Sequence, residues 1–418
     1  MKFKPIKTTP KKTEIIVLAS ITLAFFLSFY KILFSSQHIF SHDAINWYGL
    51  YHMFCDSLAN GIFPYWDPYD SCGQPFYYSL GMLKLYEPIT LWFLFLGKLF
   101  HISFLTLYHW EYITRIWLVG LGIYLCYRQI NKYFISNILV FGTFLFSVFT
   151  INSFRQNGIL NIFFWTPWIM LFFLRLLKDF KLYNIVGFSL FLGLSLSSYL
   201  SVYILTYLFI FALTLLVNDR VNLANIFKKD NIFFKLFIGI VIVCALAVPL
   251  FAVYIEQGKI VPILRIINAD VVIQNGINLK YNSINMGGSQ SSIADFFELV
   301  FPGLAKGYFL GWFDSSDWVK ISECFLYIGI IPLLLAILGI FRGKEKSRIN
   351  FLITLLAIGL LMLGPKGGLH HLLYFLFYPL RLARHMHLFS TFFVFSLLYF
   401  VGQGADYILE RLSTNNKP

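Results

Sequence analysis

The feature that most constrains this chain is a series of long apolar stretches broken by short polar or basic turns. After a first run from Glu14 to Phe34, they lie near 86–105, 108–128, 133–151, 159–177, 184–200, 201–217, 233–254, 322–341, 350–364 and 386–405. About twenty apolar residues are needed to cross the hydrocarbon core of a bilayer. Inside lipid only helices or closed barrels satisfy every backbone N–H and C=O. The pattern therefore predicts an all-α polytopic membrane protein. Composition agrees: 58% of the 418 residues are hydrophobic, 20% aromatic and 13% charged. A soluble domain carries about 25% charged residues. A disordered chain is excluded, and a soluble enzyme is a poor fit.

The net charge of +13 would point to nucleic acid in a soluble protein. Here the basic residues sit in short segments between apolar runs, as they do on the cytoplasmic side of membrane proteins. No nucleic-acid partner is expected. Counting every run as a span would put the basic turns 128–132 and 175–181 outside. Reading 86–105, interrupted by Lys98 and His101, as interfacial or re-entrant removes the conflict. Basic segments at 1–13, 128–132, 175–181, 220–235, 342–348 and 411–417 then share the cytoplasmic side. About 10 transmembrane helices result (range 9–12). The expected organisation is a cytoplasmic N-terminus (1–13), a single transmembrane domain (14–405) and a cytoplasmic tail (406–418). Glu14–Phe34 reads as an uncleaved anchor, being longer than the apolar core of a signal peptide.

This topology gathers the polar chemistry on the outer face. Two large extracytoplasmic loops are expected, 35–85 and 255–320, with an outer amphipathic segment over 365–385. All nine histidines and most of the 20 acids fall on or near that side. Long loops in compact proteins tend to carry function. Cys126 and Cys244 fall in apolar runs and read as core. Cys55 and Cys72 share the first loop, as a disulfide or as two free thiols. No CxxC pair, Walker motif, GxGxxG or internal repeat is present.

The strongest constellation is His42-Asp43, just past the first span. An acid at the end of a span is solvated, paired or functional. Asp43 could take the proton of an attacking hydroxyl, work worth about 10²–10⁴ in rate; it also suits a helix cap. The loop continues Gly61-x-x-Pro64-x-Trp66-x-Pro68, then Gly73-x-Pro75. Arg155, Arg381 and Arg384 are expected near the outer interface, where guanidinium forks fit phosphate or lipid headgroups. Glu111 and Arg115, spaced i,i+4, read as an intrahelical pair that lets two charges enter the membrane. His370-His371 and His385-x-His387 have no acid nearby in sequence, so no metal site is read there. Asp56, Asp67 and Asp70 could hold a divalent ion, a point the sequence leaves open.

These residues, in this order, resemble the YfhO-type family of bacterial membrane proteins within the glycosyltransferase C fold. The resemblance rests on Asp43, the Gly-x-x-Pro-x-Trp-x-Pro loop with Gly73-x-Pro75, Glu87-Pro88, Trp165-x-Pro167, Phe301-Pro302, Tyr327-Ile328-Gly329 with Pro332, and Tyr378-Pro379-Leu380-Arg381 followed by Arg384. It implies a glycosyltransferase C-like architecture in the bacterial cytoplasmic (inner) membrane, with its active site outside. It also implies transfer of a sugar, with inversion, from a polyprenyl-phosphate donor to a cell-envelope glycan, lipid or protein. Asp43 would be the base, Arg384, Arg381 and Arg155 would bind the donor phosphate, and His42, Trp66 and Asp67 would line the substrate loop. The alternatives are a surface-polysaccharide polymerase or ligase, and a lipid-linked glycan transporter or flippase. A transporter would place ionisable residues at mid-membrane, and most span interiors here carry none.

Overall fold

The computed structural model describes residues 12–34, 40, 43–68, 74–76, 80, 84–85, 87–154, 157–197, 201–218, 231–260, 291, 293–300, 326–343, 347–377, 379–380, 383 and 385–415. The molecule is helical. The one ladder among the described residues is a two-residue antiparallel pairing, β1 (Trp66–Asp67) on β2 (Gln74–Pro75). In chain order the helices are α1 (Lys12–Ser28), α2 (Tyr30–Phe34), α3 (Asp43–Ala59), α4 (Pro88–Phe100), α5 (Phe104–Tyr127), α6 (Phe134–Leu145), α7 (Val148–Ser153), α8 (Asn157–Phe163), α9 (Thr166–Lys178), α10 (Leu182–Leu196), α11 (Ser201–Asn218), α12 (Ile232–Ile260), α13 (Ile293–Phe297), α14 (Ile330–Arg342), α15 (Ser347–Met362), α16 (Leu369–Leu376) and α17 (Ser390–Asn415).

Among the described residues three helical stretches are long and apolar enough to cross a membrane: Ile159–Lys178, Ser201–Asn218 and Met386–Thr414. Shorter apolar helices of 10–17 residues surround them. Some expected runs are interrupted for local reasons. The stretch 133–151 breaks at Phe146, where Ser147 accepts the Thr150 N–H at 3.1 Å and starts α7 as a new helix. In the described part of the run expected over 322–341, residues 326–329 are not helical and the helix starts at Ile330, after Gly329 at φ +102°. Cys126 is buried as expected, but Cys244 is exposed, because α12 turns it to the outside of the bundle. Cys55, on α3, is a buried free thiol, and Cys72 lies outside the described residues.

Helices α1 and α2 run antiparallel to α5, and hydrogen bonds set the register. Tyr124 bonds Glu14, Trp117 donates to Thr22 Oγ1 at 3.1 Å, and Trp110 donates to the Leu33 carbonyl at 2.7 Å. Tyr108 donates to the Ala44 carbonyl at 2.8 Å, which places the start of α3 at the same end as the start of α5. At the opposite end Asp406 of α17 accepts from the backbone N–H of Lys132 and of Tyr133 and from Ser136. Nearby are Gln403 on Asn131, Lys178 on the Gln129 carbonyl, and Arg348 on the Gly343 carbonyl. The described parts of the basic turns 128–132, 175–181 and 342–348 thus gather at one end, the grouping the charge pattern called for.

Within the stretch 86–105, expected to be interfacial or re-entrant, helix α4 has 13 residues, about 20 Å at 1.5 Å per residue. His101 ends it at φ +53°, with Ile102 N–H on the Gly97 carbonyl, and Ser103 caps α5. Three residues therefore reverse the chain. Helix α4 lies back along the first half of α5, and Gly97 admits the side chain of Leu107 at the crossing.

Candidate functional site

Between the start and the middle of α5 the bundle contains a buried cluster of charge. Pro88 occupies the first turn of α4, where its missing N–H costs nothing. Glu87 stands at the N-cap but makes no cap bond; its carboxylate turns inward instead. Oε2 of Glu87 accepts from Arg115 at 2.6 Å, and Oε1 accepts from Trp165 Nε1 at 2.7 Å. Arg115, one turn along α5 from Glu111, bonds Glu111 Oε1 through Nε at 2.9 Å and approaches it again through Nη2 at 2.8 Å. Thr90 completes the group, donating to Glu111 Oε1 at 2.6 Å and accepting from Arg115 at 3.0 Å. Lys84 lies 3.4 Å from Glu87. The guanidinium of Arg115 also stacks 4.8 Å from the Phe164 ring.

Lys84 sits in the left-handed region at φ +56°, a conformation a side-chain-bearing residue holds only where its surroundings fix it. Burial pushes its ammonium below the usual lysine range; Glu87 pulls it back up, and Arg115 adds to the lowering. Two cations and two carboxylates make the cluster formally neutral. That is the condition under which charges tolerate such a place. The expected Glu111–Arg115 pair is therefore present, but as half of a larger network. Sequence reasoning did not assign Lys84 to it, and it noted Glu87-Pro88 and Trp165-x-Pro167 as separate motifs. The structure brings both motifs to Arg115.

Beside the cluster is a cavity of about 10 Å³, walled by Trp47, Tyr51, Tyr108, Tyr112, Glu111 and Asn161 among others. That is the space of roughly one water.

The expected site residues fall as follows. Asp43 is the first residue of α3, with its side chain outside the described part. His42, Arg155, Arg381 and Arg384 lie outside the described residues, as do Asp70 and the motif Phe301-Pro302. Trp66 is 54% exposed and Asp67 is buried. Their ladder is tied to α3 by the Phe76 ring, which stacks on Phe54 at 6.3 Å, about three turns along α3 from Asp43. Asp56 is exposed and holds the amide of Asn60. Next to Arg384, Ala383 is buried and the His385 N–H donates to Tyr203 at 3.0 Å. Tyr203 stands near the start of α11, whose far end bonds α15 through Asn218 and Asn350. His370, in the short helix α16, is buried, and burial together with neighbouring His371 pushes its imidazole down to about 4.

Compared with known protein families, characterised proteins and solved structures, the chain matches none.

Proposed function

We propose that this chain is a membrane glycosyltransferase of about ten spans with a glycosyltransferase C-like architecture. It moves a sugar from a polyprenyl-phosphate donor to a cell-envelope acceptor on the outer side of a bacterial cytoplasmic membrane. The observation that carries the reading is the position of Asp43. It opens α3 directly after the first helices, at the end of the bundle opposite the gathered basic turns. By the positive-inside rule those turns face the cytoplasm, so Asp43 faces out, where a lipid-linked headgroup would lie. The neutrality of the buried cluster also supports an enzyme over a transporter. It leaves no net charge at depth to bind and carry a substrate.

The chemistry follows from the groups. An acceptor hydroxyl attacks the anomeric carbon and gives its proton to the Asp43 carboxylate. The bond from that carbon to the phosphate oxygen breaks, and the polyprenyl phosphate leaves with the electron pair. The charge growing on that oxygen calls for fixed cations, a role for Arg384, Arg381 and Arg155. A single displacement inverts the anomeric centre. His42, Trp66 and Asp67 belong to the substrate loop in this reading. A divalent ion is not required by these steps.

The test is transfer of radiolabelled sugar from polyprenyl-phosphate donors to a membrane extract, with protein reconstituted in lipid. Wild type should transfer label and Asp43→Asn should lose it by at least about 10²-fold, with equal amounts of protein in the membrane. Arg384→Ala should raise the donor requirement more than the acceptor requirement. Equal transfer by wild type and Asp43→Asn would overturn the assignment of the base.

A further inference from the structure

Two of the residues assigned to the transfer are each followed by a residue whose backbone is bonded to a buried tyrosine. Tyr108, on α5, donates its O–H to the carbonyl of Ala44 at 2.8 Å, and Ala44 comes directly after Asp43 in the first turn of α3. Tyr203, on α11, accepts the N–H of His385 at 3.0 Å, and His385 comes directly after Arg384. Packing fixes the other flank of each residue. Phe40, three residues before Asp43, is buried, with its ring 4.9 Å from His109 and stacked 5.1 Å from Phe154. Ala383, directly before Arg384, is fully buried.

Local structure alone holds neither stretch firmly. The first turn of a helix frays, and a helical carbonyl keeps a second lone pair for a partner outside the helix. His385 is extended, at φ −104° and ψ 91°, so its N–H lies outside the helical ladder and needs another acceptor. A buried tyrosine meets both needs. It has only two side-chain torsions, and here the rings are packed. Tyr108 lies 4.6 Å from Tyr112 and 5.1 Å from Tyr51, and Tyr203 lies 5.2 Å from Phe389. Each phenolic oxygen therefore stands at a fixed point on a long helix. A phenylalanine would fill the same space, so what the hydroxyl adds is position.

We propose that Tyr108 and Tyr203 are positioning residues of the transfer site: Tyr108 sets Asp43 through Ala44, and Tyr203 sets Arg384 through His385. This rests on the transferase reading. The two act on different steps. Asp43 takes a proton only as the new bond forms, so a displaced Asp43 lowers kcat and leaves donor binding alone. Arg384 holds the donor phosphate, so a displaced Arg384 raises the donor KM. The direction of the bond differs too. Tyr108 donates and Tyr203 accepts, so no single replacement serves both.

The test is steady-state transfer of radiolabelled sugar from polyprenyl-phosphate glucose and mannose to a membrane extract, by the full chain in lipid nanodiscs at varied donor concentration. A misplacement of about 1 Å costs up to about 100-fold. Tyr108→Phe should lower kcat by about 10- to 100-fold, with donor KM within about twofold of wild type. Tyr203→Phe should raise donor KM by about tenfold, with a smaller fall in kcat. Tyr127→Phe controls for plain loss of a buried hydroxyl. Tyr127 donates to the Phe395 carbonyl and neighbours neither Asp43 nor Arg384 in sequence; its loss should change neither constant. 4-Aminophenylalanine keeps an N–H donor but is a poor acceptor. In place of Tyr108 it should restore kcat, and in place of Tyr203 it should leave donor KM high. Where a Phe variant does not accumulate, these replacements carry the comparison. If the variants at 108 and 203 lose thermal stability but keep wild-type kcat and KM per folded molecule, the tyrosines only hold the fold. That overturns the proposal and leaves the transferase reading intact. No transfer by wild type would overturn the transferase reading, and both roles with it.

Discussion

Beside the first half of α5, four charged side chains drawn from the turn before α4, its N-cap and α5 are at most 3% exposed and bond one another. At the end where the basic turns gather, Glu14 is buried against Tyr124 and Arg128, but Lys132, Asp406 and Glu410 are edge features. Lys132 is 56% exposed where it meets Glu410 at 3.4 Å, and Asp406 caps the start of α6 from α17. The contrast shows where charge sets geometry in this fold. A surface pair contributes little because water and salt compete for it. A dry cluster leaves no alternative partner, so each member fixes the position of the others.

The comparison can be broken most sharply at Arg115. Arg115→Met keeps the bulk but leaves Glu87 and Glu111 buried with only Lys84 opposite them, which should cost about 3–5 kcal/mol in unfolding free energy. Thermal unfolding in mild detergent measures it, and a loss below about 1 kcal/mol would mean that the cluster is not held as described. Asp406→Ala should come next. It removes the acceptor for two backbone N–H groups and for Ser136 at the start of α6, an effect of about 1–2 kcal/mol. Lys132→Ala should be smallest, below about 1 kcal/mol. Repeating it in molar salt should erase the difference from wild type, since exposed charges are screened there. If Lys132→Ala matched Arg115→Met, the two regions would not differ in kind.

Much of the architecture was legible in the sequence. The length of apolar runs located the helices, and the charge pattern grouped the basic turns 128–132, 175–181 and 342–348. The i,i+4 spacing of Glu111 and Arg115 showed their pairing. Their partners were not legible. Glu87 and Lys84 reach Arg115 only because three residues, His101 to Ser103, fold α4 back on α5, and no periodicity encodes that contact. The apolar run around Cys244 looked like core, but in a membrane protein an apolar run may face either lipid or protein, and hydropathy cannot tell them apart. Asp43 and the arginines were picked out by position and resemblance, not by any periodic signature.

Lys84, Glu87, Glu111 and Arg115 also occupy one continuous stretch of chain, on a hairpin joined by three residues. A single charged residue carried to mid-membrane during biosynthesis costs about 2.5–3.5 kcal/mol. This hairpin needs nothing made later to cancel its own charges. Its four buried charges are cancelled before helices α8 and α9, with Trp165 between them, are made, while Lys98 stays on an exposed face of α4. The order of synthesis and the order of neutralisation coincide.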